Sequence, residues 1–263
     1  MLLRAELASH VVHSLPLDVC GADTQGATGY MLQQAIRNWL GDHQTVKDAV
    51  SIVTQVIVDP IESSPDRLER GIGPYFDQEK AQTYRNARGW NFVLIPGRGY
   101  RRAVPALTPR GVPEIPLIRR LLDPAAIIMC AGGGGIPVVR DQAGHLSGVE
   151  GVVNKADTAS LLGRELHADG IVFLSVWDRL KHLPGFQPIG SLASLGFDQL
   201  QAILAGAPGA DEDGYRKLRA ARQFLQEGGK WVCFCPPEGI GANLEFSQGV
   251  MLQEHPADKA AAS

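Results

Sequence analysis

The sequence predicts an α/β protein in which helices cover both faces of a mostly parallel sheet. Three observations predict it. Short runs rich in β-branched residues alternate along the chain with segments patterned every three to four residues, which is the pattern of strand–helix–strand units. One apolar run, Ala125 to Cys130, leads into four consecutive glycines, Gly132 to Gly135, and then Ile136-Pro137-Val138-Val139. Such a turn at the carboxyl end of a parallel strand lets backbone N–H groups face an anion, because glycine accepts positive φ and admits a close ligand. A flexible surface loop is the competing reading, but a linker would carry polar flanks rather than two apolar ones. Lastly, 263 residues with 44% hydrophobic and 20% charged content suffice for a sizeable core.

The elements follow in order. Leu2, Leu3, Leu7 and Val11 share a face at helical spacing, and with nothing before Met1 to cap it, this helix reads as one whose start is cut off. Pro16-Leu17-Asp18-Val19 ends that segment, and Gly26 to Tyr30 precedes a second helix, MLQQAIRNWL, closed by Gly41. Val50 to Val58 alternates and reads as one strand ending at Asp59-Pro60. Ile61 to Tyr75 is polar and broken by Pro65, Gly71, Gly73 and Pro74, so a loop or lid is expected. Asp77 to Asn86 is helical, and Asn91–Ile95 and Arg101–Val104 flank Pro96-Gly97-Arg98-Gly99 as a hairpin. Ile115 to Leu122 is a helix before the glycine-rich strand and turn. His145 to Asn154 holds a turn and the apolar run GVEGVV, and Asp157 to Glu165 is a helix. Ile171 to Val176 is a buried strand, Leu195 to Leu204 a helix, and Ala205 to Gly214 a loop. Tyr215 to Glu227 is a patterned helix, and Trp231 to Cys235 is the last clear strand.

Several function classes are excluded. Formal net charge is −3 and no basic run of the kind nucleic acid needs is present. No apolar run reaches the ~20 residues of a membrane span, and the N-terminus lacks a signal-peptide core. Cys20, Cys130, Cys233 and Cys235 do not have zinc-site spacing, and the seven histidines do not cluster beside them. Reduced cysteines and a cytoplasmic location are expected.

Phosphate chemistry needs N–H cradles and fixed cations, because its transition state spreads negative charge over oxygens. Gly132, Gly133, Gly134 and Gly135 are the candidate cradle. Lys155, at the end of a strand-like run and just before a helix, and Lys217, at the start of another helix, are candidate cations; each is otherwise a solvated surface charge. Arg70, beside Gly71-Ile72-Gly73-Pro74, is a candidate lid cation, with a solvated arginine as the commoner case. Asp157 and Asp178 are candidates to hold magnesium or to act as solvated carboxylates. CAGGGGIP is not the dinucleotide fingerprint G-x-G-x-x-G, and GKS or GKT is absent, which disfavours a Rossmann dinucleotide binder and excludes a P-loop protein.

Several stretches together resemble carbamate kinase, of the amino-acid kinase superfamily. They are PLDVCGADTQGATGYMLQQAI (Pro16–Ile36), TQVIVD (Thr54–Asp59), GIGPYF (Gly71–Phe76), GYRRAVP (Gly99–Pro105), AGGGGIPVV (Ala131–Val139), GVEGVVNKADTASLL (Gly148–Leu162) and KLRAARQFLQEGG (Lys217–Gly229). The resemblance implies a three-layer α/β/α sandwich and a homodimer. It also implies reversible phosphoryl transfer between ATP and carbamate, with magnesium, often run from carbamoyl phosphate and ADP. Gly132 to Gly135 match the family's phosphate loop, Lys155 its active-site lysine, Lys217 its nucleotide-phosphate lysine and Arg70 its lid lysine. The chain departs from the family in several places. Its Gly-Gly-Asn-Ala and His-Gly-Asn-Gly-Pro-Gln turns have no counterpart here, so the sequence reads as lacking the first strands. Asp-Lys-Asp has become Asn154-Lys155-Ala156, the loop before Lys217 differs, and Thr-Asp-Val-Asp has become Ser175-Val176-Trp177-Asp178. A non-catalytic or regulatory homologue is therefore the alternative expectation. The domain expected is 1–254, with 61–105 as a lid or hairpin protrusion and 255–263 as a flexible tail.

Overall fold

The computed structural model describes residues 15–44, 47–60, 69–122, 126–174, 192–206, 213–241 and 245–253. By internal contacts the chain forms two compact units, Met1–Thr158 and Ala159–Ser263. No described helix is long and apolar enough to cross a membrane.

Residues 1–14, where the helix carrying Leu2, Leu3, Leu7 and Val11 is expected, lie outside the described residues. The described part of the first unit starts with α1 (Leu17–Asp42), one continuous helix rather than a segment end followed by a second helix. Pro16 precedes it and accepts the Cys20 N–H at 3.0 Å; proline sacrifices no donor at a helix start. Gly26 and Gly29 lie inside it, although glycine there reads as a break. Gly29 is required by packing, since a Cβ would fall 2.0 Å from the Ser51 hydroxyl.

The predicted strand Val50–Val58 is in fact two, β1 (Asp48–Ser51) and β2 (Gln55–Val58). β1 pairs in parallel with β7 (Ala126–Met129) and β2 with β8 (Ile136–Arg140). Both lines of chain break at the same level, one at Ile52–Thr54 and the other at the glycine turn. β6 (Pro109–Gly111) and β9 (Leu146–Gly148) flank β2 and β8 antiparallel, and α3 (Ile115–Leu121) precedes β7. Val56, Val58, Ile118 and Val138 are buried in this part of the core.

Residues 69–76 of the expected loop form β3 (Glu69–Phe76), while 61–68 lie outside the described residues. β3 pairs antiparallel with β5 (Gly99–Leu107), which also pairs antiparallel with β4 (Asn91–Ile95) and parallel with β10 (Val152–Val153). Between β3 and β4 runs α2 (Gln78–Arg88), where the Asp77 carboxylate accepts from the Lys80 N–H at 2.8 Å and Gly89 closes the helix at φ 67°. Phe76, Tyr84, Trp90 and Phe92 stack or meet edge-on, and the Arg102 guanidinium lies 4.3 Å from the Trp90 ring centre. This part of the sheet is thus built on rings and arginine stems.

α4 (Lys155–Glu165) spans the boundary between the units. In the second unit, β11 (Gly170–Leu174) pairs parallel with β13 (Trp231–Cys235). β13 is not the last strand. β14 (Gly249–Gln253) pairs antiparallel with it and parallel with β12 (Leu192–Gly196). That pairing moves the start of the following helix, α5 (Phe197–Ala205), two residues past the predicted one. α6 (Asp213–Gln226) buries Tyr215, Leu218, Ala221, Phe224 and Leu225, as its spacing predicts. All four cysteines are free, and burial pushes the Cys233 thiol up to about 12, so it stays protonated at neutral pH.

Candidate functional site

The glycine turn follows the carboxyl end of β7, where the sequence places it. Ala131 takes a left-handed conformation at φ 52°, then Gly132 to Gly134 form a single 3-10 turn, with Gly133, Gly134 and Gly135 at φ 74°, 114° and 93°. Glycine is needed most at two positions. A Cβ on Gly134 would lie 2.3 Å from the Val153 carbonyl oxygen and 3.2 Å from the Lys155 amide nitrogen. One on Gly135 would lie 2.1 Å from a Val56 methyl. Gly132 and Gly133 are exposed, and among the described residues no protein acceptor takes their N–H groups.

Two buried polar side chains hold the turn. The Gln25 carboxamide, on α1, accepts the Thr54 N–H at 2.7 Å and donates to the Thr54 carbonyl at 3.2 Å and the Gly132 carbonyl at 3.1 Å. The Thr54 hydroxyl accepts the Ala131 N–H at 2.9 Å and donates to the Ile52 carbonyl at 2.8 Å. On the other side the Thr158 hydroxyl donates to the Gly134 carbonyl at 2.7 Å.

Beside the turn stands the N-terminus of α4. Asn154 caps it, accepting the Ala156 N–H on its side-chain oxygen at 2.8 Å. Asn154, where the family resemblance implies an aspartate, therefore supplies a capping oxygen. Lys155 is the first helical residue and is exposed, with no partner for its ammonium among the described residues. Asp157 lies in the first helical turn, where a carboxylate favours the positive end of the helix dipole. Glycine amides, helix N-terminus and lysine thus converge on one small region, an arrangement suited to a phosphoryl group.

A cavity of about 340 Å³ opens at the turn, lined by Gly132 and Gly133 together with Gln25, Thr28, Ile52 and Cys130 among others. Burial, and then the nearby Glu114 carboxylate, raise the Cys130 thiol, so it stays protonated.

The remaining candidates fall elsewhere. Arg70 sits on β3 opposite Val104, not in a loop, and is half-buried. Leu107, three residues beyond Val104, pairs with Val153. That register sets the Cα atoms of Arg70 and Val153 roughly 14 Å apart. Lys217 lies in the second turn of α6, in the second unit. Asp178 is outside the described residues. Among the described residues no three metal-ligating side chains gather.

Sequence reading missed Gln25, Thr54, Asn154 and Thr158. Only Thr54, which with Ser51 and Gln55 interrupts a strand-like run rich in β-branched residues, left a faint signal.

Comparison with known proteins supplies an independent line. No family model matches the chain. Carbamate kinase of Pyrococcus horikoshii is 34% identical over 249 residues, 92% of this chain and 77% of that protein. A carbamate kinase-like protein of Escherichia coli is 35% identical over 255 residues, 95% of this chain and 80% of that one. Among solved structures, carbamate kinase from Giardia lamblia bound to AMP-PNP superposes with a TM-score of 0.80 at 26% identity, over 96% of this chain and 80% of that one.

Proposed function

The chain belongs to the carbamate kinase family and shares its α/β fold, a three-layer α/β/α sandwich of the amino-acid kinase type; from that premise we propose that it is a phosphotransferase, moving a phosphoryl group reversibly between ATP and carbamate. The observation that carries this reading is the meeting of the unclaimed Gly132 and Gly133 N–H groups with the α4 N-terminus and the exposed Lys155. The Giardia relative solved with AMP-PNP adds support for a nucleotide as one partner.

The roles follow from charge. The Gly132 and Gly133 N–H groups would hold phosphoryl oxygens, and the Lys155 ammonium would offset the charge gathering on them during transfer. Positioning does most of the rest, since in-line transfer asks for little proton chemistry. Magnesium would arrive with ATP or ADP. It prefers water, phosphate oxygens and one or two carboxylates to an all-protein cage, and the half-exposed Asp157 offers one such carboxylate. Lys217 and Asp178 are assigned to the nucleotide through the family resemblance alone. Arg70, on β3, is likewise assigned as a lid cation through the family resemblance alone. The four free cysteines fit a cytoplasmic protein, and the family resemblance a homodimer.

The test is ATP formation from carbamoyl phosphate and Mg-ADP. Lys155→Ala should lower kcat by on the order of 10²–10³, the effect of removing one preorganised charge donor. Its unfolding midpoint should stay unchanged, because an exposed lysine contributes little packing. Wild-type turnover in Lys155→Ala would remove Lys155 from the mechanism. A folded wild type without turnover would leave a non-catalytic homologue as the better description.

A further inference from the structure

We propose that Gln25 and Thr54 form a positioning pair that sets the glycine turn for phosphate; the proposal rests on the phosphotransfer reading and names how that site is held in shape. Neither residue points at a ligand. Gln25 is 7% exposed and Thr54 fully buried, and between them they make five hydrogen bonds, each to a backbone group. Three of these bonds fix the Ile52–Thr54 connection between β1 and β2. The other two reach across to Ala131 and Gly132.

Packing alone does not call for this chemistry. Leucine and valine of similar shape would fill the same space without burying polar groups, which cost free energy unless every one is paired. Apolar side chains have no means of holding a carbonyl and an amide of the turn in fixed directions. Gln25 draws the Gly132 carbonyl inward, and Thr54 draws the Ala131 N–H inward. That leaves the next two N–H groups, of Gly132 and Gly133, for an anion. Ala131 is a further sign of enforcement. It holds φ 52° without being glycine, a conformation that persists where neighbouring contacts over-determine it. Its N–H bond to the Thr54 hydroxyl is such a contact.

The experiment reads amide hydrogen exchange and Mg-ADP affinity in Thr54→Val, Gln25→Leu and the rescue variant Thr54→Ser. Thr54→Val should speed exchange of the Ala131, Gly134 and Gly135 amides of the turn by about tenfold relative to the amides of β2 and β8, the scale of one buried hydrogen bond lost. The Mg-ADP dissociation constant should rise by about the same factor. Gln25→Leu should do likewise, which keeps the test open if Thr54→Val fails to fold. Thr54→Ser, with its hydroxyl kept, should restore turn protection and affinity. Unchanged turn amides overturn the proposal, and so does a parallel rise across β2 and β8, which would mark the pair as ordinary core. A wild type that binds no Mg-ADP overturns the phosphotransfer reading, whereas the exchange pattern by itself upholds or overturns the pair.

Discussion

The glycine turn and the region of β3, α2, β4 and β5 belong to the same unit and are held in opposite ways. The turn is made of small residues locked by a few directed hydrogen bonds from buried side chains, with no room for a methyl at Gly134 or Gly135. The β3–β5 region is made of large rings, Phe76, Tyr84, Trp90 and Phe92, with arginines laid over them. Directed bonds suit a site whose N–H groups must keep one orientation. Stacked rings and guanidinium groups bury area and keep their charge in water. The difference teaches that directed bonds gather at the turn proposed to orient a phosphoryl group, and that bulk serves where only cohesion is needed.

Gly135→Ala should break the turn side of this comparison most severely. The new methyl would meet Val56, which is fully buried, at 2.1 Å, and the backbone would be held at φ 93°. Overpacking and left-handed strain together predict a loss of about 3–5 kcal/mol in urea unfolding. Gly133→Ala is the internal control. Its φ is 74° but its Cβ would meet nothing, so only the strain remains, about 1 kcal/mol. Equal losses in the two variants would show that the turn does not press on β2.

On the β3–β5 side, Trp90→Ala removes the ring that Tyr84, Arg88 and Arg102 share. A loss of about 2–3 kcal/mol is expected for a half-buried aromatic. It should appear as faster exchange in β4 and α2, with the amides of β2 and β8 unmoved. Parallel acceleration at the glycine turn would show that the two regions unfold as one and would end the contrast.

The turn was legible in the sequence for the reason that makes it rigid. Four glycines after an apolar run state a backbone requirement that is local, and Lys155 could be read because it follows a strand and opens a helix. The α6 stripe was legible for the same local reason. The split of Val50–Val58 was not, because seven of its nine residues are β-branched and favour a strand, while the bonds that hold the break at Thr54 come from Gln25, 29 positions away. β3 was read as a loop because Gly71, Gly73 and Pro74 are turn formers. Its pairing with β5 overrides them by bulging between Ile72 and Phe76, with Gly73 at φ 71°. β14 was missed because its strand character depends on having β12 and β13 on either side.

The smallest effect expected lies at the tip of the β4–β5 hairpin and concerns charge rather than packing. The Arg98 guanidinium donates to the Tyr75 phenol oxygen at 3.2 Å, and the Arg101 guanidinium carbon lies 5.3 Å from the ring centre. The hydrogen bond from Arg98 is the largest cause that lowers the Tyr75 phenol below its ordinary value, and the positive charges of Arg98 and Arg101 act in the same direction. A group whose folded pKa is depressed stabilises the fold above its unfolded pKa and loses that contribution as pH falls through the folded value. For a phenol the window is alkaline, ending near the ordinary value of about 10, so nothing is expected at neutral pH. Because Tyr75 is exposed, solvent screening keeps any gain small. Absorbance at the phenolate band, compared between wild type and Tyr75→Phe, isolates this one ring from the other four tyrosines. The difference curve should titrate below the ordinary phenol value, and Arg98→Ala should move it back up. A difference curve at or above the ordinary value would mean that Arg98 does not hold its place in solution, and that the tip is looser than the ring cluster beneath it.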